Sequence, residues 1–343
     1  MITIKEVARL AGVSTSTVSK VINNYRDIGP ETKERVLRVI EETHFLPNRS
    51  ARRLVQKKSK TVGFILGGIE NTDTHDIRPV QLMKGALEYI QNTGYEIVFL
   101  PATCQMQLQT SYDQICHENN LAGVVVSGLQ TDDPYYREAS ESELPCVSID
   151  FALKGARHAS VLLNDQQAAH CAMDYLIAQN HREIGLINGK KNSVVGLERY
   201  YGYCQSLTDH DIAVNPNYIV FANFQQDTAY VKAKRLLKEE PQITALFCAS
   251  DVMALGVYHA AAELGRRIPD DLSIVAFDDM PIAPYVHPPL TTLRQYFDAV
   301  GSKAVELLLS ILQNTADTSR PVYSNFELIV RDSARKISMP EHP

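Results

Sequence analysis

"TIKEVARLAGVSTSTVSK" (Thr3–Lys20) opens the chain with two apolar stripes at helical spacing, broken at Ala11-Gly12-Val13 and resumed after a run of hydroxyl residues. Thr3 and Glu6 have the S/T-x-x-E form of a capping box, so a first helix starts near Ile4. Ile4, Val7, Ala8 and Ala11 fall on one face of it. Gly12 ends the helix, because a left-handed residue costs glycine little. Ser14 is placed to cap a second helix whose Val18, Val21 and Ile22 point inward. Its outward residues are Thr15, Ser16, Thr17, Ser19, Lys20 and Asn23, short hydrogen-bonding side chains plus one cation. A third helix, roughly Glu31 to Thr43 with Pro30 in its first turn, brings Val36, Leu37, Val39 and Ile40 to the same small core. Such a globule can press its second helix into a DNA major groove, where donors and acceptors on base edges are distinguishable. A small helical bundle whose polar face meets only water would show the same periodicity.

The next stretch, "FLPNRSARRLVQKKSK", holds Arg49, Arg52, Arg53, Lys57, Lys58 and Lys60 within twelve positions. Pro47-Asn48 reads as a helix start, and Ala51 and Leu54 then share one side (i, i+3) flanked by arginines. So short and charged a helix is marginal alone and needs a partner helix and a polyanion to form. Two of them could wedge leucines into a minor groove and kink the duplex; without DNA the segment also reads as a flexible basic linker. Charge supports the division. Residues 1–60 carry thirteen Lys/Arg against six Asp/Glu, a net +7, in a chain whose total is −6, so the remainder is at −13. A basic head on an acidic body suits a head that meets a polyanion and a body that does not.

The 343 residues, 45% of them apolar, suffice for more than one domain with a real core. No apolar run reaches the roughly 20 residues a bilayer requires, and the amino terminus lacks a signal-peptide pattern, so a cytoplasmic protein without a membrane partner is expected. The six cysteines stand singly with no C-x-x-C pair, which reads as reduced, mostly buried thiols rather than a disulfide framework or a metal site.

From Lys60 onward strands and helices alternate. "TVGFILGG", "EIVFLPA", "LAGVVVSG", "PCVSID", "REIGLING", "ALFCAS" and "DLSIVAFDD" are strand candidates, and a helix is expected near Val80–Thr93, ending at Gly94. Buried apolar strands with helical crossovers imply parallel sheets covered on both faces, and the number of units implies two similar α/β lobes. Ligands in such sheets bind beyond the carboxyl ends of the strands, so two facing lobes make a cleft. Asp150, Ser250, Asp251, Asp278 and Asp279 stand at strand ends, and Arg199 opens a helix. Carboxylates with one cation suit a polyhydroxylated ligand, since charged groups make strong, directional hydrogen bonds to hydroxyls. A glycosidase-type carboxylate pair is the competing reading, but nothing else supplies a cleaving arrangement and the head would go unexplained. For any single Asp a helix cap fits as well as a ligand contact. "GLINGKK" misses the phosphate-loop pattern, with Gly185 and Gly189 one residue too close and Lys191 where Ser or Thr is needed, and no zinc-protease, nucleophile-elbow or dinucleotide motif occurs. No catalytic residue, metal or cofactor is expected.

"TIKEVARLAGVSTSTVSKVINN" followed by "ETKERVLRVIEETHFLPNRSARRL" resembles the DNA-binding head and hinge of the LacI/GalR family of transcriptional regulators. "QNHREIGLING", "ERYYGY", "ASDVMALGVYHAAAELGRRIPDDLSIVAFDD" and "PPLTTLRQ" are similar to that family's periplasmic-binding-protein-like core. The resemblance implies a head over 1–46, a hinge over 47–60 and an effector-binding, dimerising core over 61–343. The first lobe would cover about 61–160 and 292–320, the second about 161–291 and 321–335. By position Thr15, Ser16 and Lys20 would face base edges, Ser14, Thr17, Asn23 and Arg49 would sit near phosphates, and Leu54, with Ala51 beside it, would be the minor-groove wedge. Asp150, Arg199, Ser250 and Asp278 would line the effector site, with Phe224 as the stacking residue in a chain without Trp, while Asp251 holds its own loop. Two departures stand out. Gly29 replaces the usual Ser or Thr cap, and "GGIENTDTHDIRPVQ", with Asn71, Asp73, His75, Asp76 and Arg78, replaces an Asn-Pro-aromatic segment that normally covers the effector. Ligand identity therefore does not transfer; His75 could contact a ligand, though an exposed loop histidine is the commoner outcome.

The expected function is a repressor that binds a palindromic operator as a homodimer, because one head reads only a half-site. A sugar or sugar phosphate in the cleft would control it. A purine- or nucleoside-responsive regulator, or one needing a protein corepressor, shares the architecture. A solute-binding protein would explain the body but needs an export signal. The twelve residues after Arg331 hold no leucine heptads, so no carboxyl-terminal coiled coil is expected.

Overall fold

The computed structural model describes residues 2–22, 25, 27–43, 59–71, 76–318 and 320–338, in two units, Met1–Ser59 and Lys60–Pro343. The first holds α1 (Ile4–Ala11), α2 (Thr15–Ile22) and α3 (Pro30–Glu42). The capping box forms in both directions between Thr3 and Glu6, and Gly12 closes α1 at φ 64°. Ser14 Oγ accepts the Thr17 N–H at 3.0 Å and so caps α2. Gly29 leads into α3 without a side-chain cap, as its missing hydroxyl requires. Val7, Ala8, Ala11, Val18, Val21 and Val36 form the core, with Val39 and Ile40 packed against it. Leu37 was expected there and is instead exposed. Val36, Val39 and Ile40 keep the i, i+3, i+4 spacing of one face, and Leu37 lies about 100° round the helix from Val36. The hinge at 47–60, apart from Ser59 and Lys60, lies outside the described residues.

In the second unit strands and helices run in order as β1 (Thr61–Gly67), α4 (Arg78–Ile90), β2 (Glu96–Ala102), α5 (Cys104–Gln109), α6 (Tyr112–Glu118), β3 (Gly123–Ser127), α7 (Pro134–Glu141), β4 (Cys146–Ile149) and β5 (His158–Leu163). The chain then crosses to a second lobe of α8 (Asp165–Ala178), β6 (Ile184–Asn188), α9 (Val194–Asp209), β7 (Ile219–Phe221), α10 (Gln226–Glu239), β8 (Ala245–Cys248), α11 (Asp251–Glu263), β9 (Ser273–Asp278) and β10 (Thr291–Gln295). It returns for α12 (Phe297–Leu312) and β11 (Val322–Ser324), and ends in the second lobe with β12 (Phe326–Ile329). The sheets have the orders β11-β5-β4-β3-β1-β2 and β12-β10-β9-β8-β6-β7. Every pairing is parallel except that of β12 with β10.

Two expected boundaries move. Thr291–Gln295 pairs with β9, so the return to the first lobe comes with Phe297 and not at 292; Val322–Ser324 pairs with β5, so the last crossing follows it rather than preceding 321. The partner strand decides the lobe, and partners are not visible in a strand's own sequence. The helix expected at Val80–Thr93 runs Arg78–Ile90, because Pro79 is suited to a first turn. Helix pairs cross backbone to backbone. A Cβ on Gly85 of α4 would strike the Asp298 carbonyl of α12, and one on Gly301 would strike that of Leu82. Gly202 meets α8 and Gly256 meets α10 in the same way. Three of the free cysteines are buried (Cys116, Cys146, Cys248), and only Cys104 among the six is exposed.

Candidate functional site

On the head, Thr15, Ser16 and Lys20 project from the solvent side of α2 while Val18 and Val21 hold its inner side in the core. Ser14 Oγ lies 2.6 Å from Ser16 Oγ and 2.8 Å from Thr17 Oγ1, so these hydroxyls form one network at the start of the helix. Lys20 Nζ reaches Asp27 Oδ2 at 2.5 Å, and this bond holds the Asp27 carboxyl below its ordinary range. Both groups are half-exposed, so the pair is free to exchange partners. Asn23, Arg49, Ala51 and Leu54 lie outside the described residues.

In the second unit a cavity opens between the lobes, with about 1080 Å³ of atom-free space counted to its open mouth. Turns after the strands build it, and their backbones take conformations that L-residues avoid. Asp150 after β4 has φ 76°, Asn223 and Phe224 after β7 have φ 57° and 59°, and Asp278 at the end of β9 has φ 109°. Asp and Asn tolerate the left-handed region, but Phe224 is a bulky outlier, and strain of that kind clusters at ligand sites. Gly189 fits beneath it, since a Cβ there would run into the Phe224 ring.

Asp150, Arg199 and Phe224 line this cavity. Arg199, 1% exposed, donates from Nε to Asp165 Oδ1 at 2.8 Å and from Nη1 to the Ala249 carbonyl, with its guanidinium 3.6 Å from the Phe277 ring centre. Asp278 stands behind the lining, 3.7 Å from Arg199 Nη2 and 3.7 Å from Arg78 Nη1. Among the described residues neither of its oxygens receives a hydrogen bond, nor does the buried Oδ1 of Asp150. Burial pushes the Asp278 carboxyl up to about 6 against the pull of Arg78 and Arg199. Burial, then the Asp165 charge, pushes that of Asp150 up to about 7. Ser250 is not brought to the cavity. It caps α11, accepting the Met253 N–H at 3.2 Å. Asp251 is consumed in its own loops, accepting from the Met280 N–H and the Thr292 hydroxyl, each at 2.6 Å. Asp279 is held by Arg294 and Arg331, each at 2.7 Å.

The sequence reading assigned no effector contact to Asp76, Arg78, Lys190, Ser193 or Asn223, all of which line the cavity. Arg78 opens α4 from the first lobe, donates to Asp76 from Nε at 2.8 Å and Nη2 at 2.6 Å, and lies 5.4 Å from the centre of the Phe224 ring in the second lobe. The only sequence signal for it was the departure of its loop from the family pattern. At the rim the lobes are fastened directly. Asn192 Nδ2 donates to both oxygens of Asp132 (2.8 and 3.0 Å), and the Thr131 N–H and hydroxyl both donate to the Asn192 carbonyl at 3.0 Å. Among the described residues no cluster suited to a metal ion occurs, and no helix is long and apolar enough to cross a membrane.

A helix-turn-helix head followed by a two-lobed core with a ligand-sized cleft defines a ligand-responsive transcriptional regulator. Residues 3–48 match bacterial regulatory proteins of the lacI family, and 173–334 match the periplasmic binding protein-like domain. The chain is 31% identical to the HTH-type transcriptional repressor PurR of Vibrio vulnificus (98% of this chain, 100% of that protein). It is 32% identical to the ribose operon repressor of Haemophilus influenzae (97% and 98%). Among solved structures, the lac repressor dimer bound to operator and the anti-inducer ONPF superposes with a TM-score of 0.83 at 25% identity, covering 97% of this chain and 99% of that one. The chain belongs to the LacI family of bacterial regulatory proteins.

Proposed function

We propose that this chain is a cytoplasmic repressor without enzymatic activity that binds a palindromic operator as a homodimer and is controlled by a sugar or sugar phosphate held in the cleft. For DNA, the support is the outward row Thr15, Ser16 and Lys20 on a helix whose other face is locked into the head. These three would read base edges, with Ser14, Thr17, Asn23 and Arg49 at phosphates and Leu54 beside Ala51 in the minor groove. The lac repressor relative is a dimer on its operator, and the same assembly is proposed here.

One observation carries the ligand reading: Asp150 lines the cavity beside Arg199 and Phe224 with a buried oxygen that has no donor among the described residues. Buried acceptors without donors are costly, and ligand hydroxyls would satisfy them. Ligand would shift the lobes and thereby the pairing of the two hinges, with a coupling of about 1–3 kcal/mol. The purine reading keeps a specific support, since repressors named PurR are among the relatives and three aromatic residues, Phe151, Phe224 and Phe297, line the cavity. Selection of duplexes from a random pool, followed by titration of operator binding with sugars, sugar phosphates and nucleobases, tests both readings. The proposal fails if no duplex is enriched, or if no small molecule alters operator affinity.

A further inference from the structure

The outward row of α2 ends in the one cation of that helix, and the fold sets a carboxylate against it. Lys20 Nζ meets Asp27 Oδ2 at 2.5 Å, seven positions further along the chain. Two local contacts fix the approach. The Tyr25 N–H donates to the Lys20 carbonyl at 3.0 Å, which folds the chain back after α2, and Ile28, next to Asp27, packs against the core of the head. Stability of the head does not explain the placement. Half-exposed ion pairs contribute little. Asp27 lies beyond the carboxyl end of α2, where the helix dipole disfavours negative charge. It gives α3 no cap either, since that helix begins behind Gly29 without a side-chain hydrogen bond, so only a weak, screened charge effect remains there. What the pair does change is the state in which Lys20 meets DNA. An ammonium has three donors, and Asp27 takes one and leaves two. The long lysine stem, costly to order, is thereby ordered beforehand, as Ser16 is by Ser14 Oγ at 2.6 Å. Guanine O6 and N7 in the major groove are acceptors that the two remaining N–H groups can reach while the pair stays intact. A phosphate differs, because moving Lys20 onto it exchanges one anion for another and leaves Asp27 unpaired beside a polyanion.

We propose that Asp27 is a specificity-determining residue of the head, which aims Lys20 at a guanine edge and keeps it off the phosphates. The inference rests on the DNA reading above, with Lys20 at a base edge, and adds a carboxylate to the residues that choose the operator. Removing that carboxylate strengthens binding to any duplex and weakens the choice among duplexes. If Asp27 acted only as one more negative charge near DNA, its removal would strengthen binding to operator and to other duplexes alike.

The test is fluorescence anisotropy of the purified full-length protein at fixed salt, on the duplex enriched from a random pool and on a scrambled duplex of the same composition. D27N is expected to bind the scrambled duplex about tenfold more tightly and the enriched one less than about threefold more tightly, so the ratio of the two affinities falls. Its salt dependence on scrambled DNA should steepen as Lys20 joins the phosphate contacts. K20A should lower the ratio by itself, and D27N added to K20A should lower it no further, because the two residues act as one unit. The melting temperature checks the fold of D27N, and D27S repeats the test should D27N misfold. The proposal is overturned if the ratio for the Asp27 variant stays within about twofold of the parent's, or if D27N lowers it as much in the K20A background. An enriched duplex with an unchanged ratio sinks this inference alone, whereas failure to enrich any duplex sinks the DNA reading together with it.

Discussion

Asp150→Asn is expected to stabilise the ligand-free protein and to abolish its response to effector. The side chain keeps its shape, but a carboxyl with a buried, donorless oxygen becomes a neutral amide. In the folded chain burial raises the Asp150 carboxyl from 3.8 to about 7. Between those two values the folded protein binds a proton that the unfolded chain has released. Stability therefore falls as pH rises from about 4, and the full penalty is present above about 7. At about 1.4 kcal/mol per unit, the upper limit is about 4 kcal/mol. Solvent reaching the open cavity screens part of this, which leaves about 1–2 kcal/mol. Urea denaturation of the full-length variant and parent at pH 5 and pH 8 reads it directly. The variant should gain about 1–2 kcal/mol at pH 8 and much less at pH 5. A gain equal at both pH values, or a loss at pH 8, would refute the reasoning, because neither follows from an ionised group without donors.

Gly85→Ala should destabilise the core by about 3 kcal/mol or more, read as a lower urea midpoint, since its Cβ would meet the backbone of α12 and not a movable side chain. Asp251→Ala should cost about 2–4 kcal/mol by the same measurement, because it orphans the Met280 N–H and the Thr292 hydroxyl in the interior. Operator affinity, measured by fluorescence anisotropy, should fall by about a thousandfold or more between 50 and 200 mM salt if two basic heads and hinges neutralise phosphates; a flat salt profile contradicts that role.

The head was legible almost residue by residue. Its capping box, left-handed Gly12 and Ser14 cap are local devices, each complete within four residues, so the sequence alone carries them. Leu37 was misread because a run of apolar residues hides which of them lies off the inward stripe. In the core seven strands were recognisable from their apolar runs, whereas the buried β5 and β10, in which His158, Ser160, Thr291, Thr292, Arg294 and Gln295 interrupt the apolar pattern, were missed. The short β7, β11 and β12 were missed too, as three or four half-exposed residues hold too little periodicity.

The identity of the strand-end residues came from the sequence, but their division of labour did not. Asp150, Asp251, Asp278 and Asp279 look alike in one dimension. The tertiary structure spends Asp251 on the Met280 N–H and the Thr292 hydroxyl, gives Asp279 two arginines, and leaves Asp150 and Asp278 without donors. Arg78 shows the same division, since only the facing of two lobes brings an arginine at the start of α4 within 3.7 Å of a carboxylate two hundred positions later. Helix, cap and turn are decided by neighbours along the chain, and those the sequence by itself determined. Which charge goes unanswered in a cleft depends on the sum of distances to every group around it, and that sum exists only once the chain has folded.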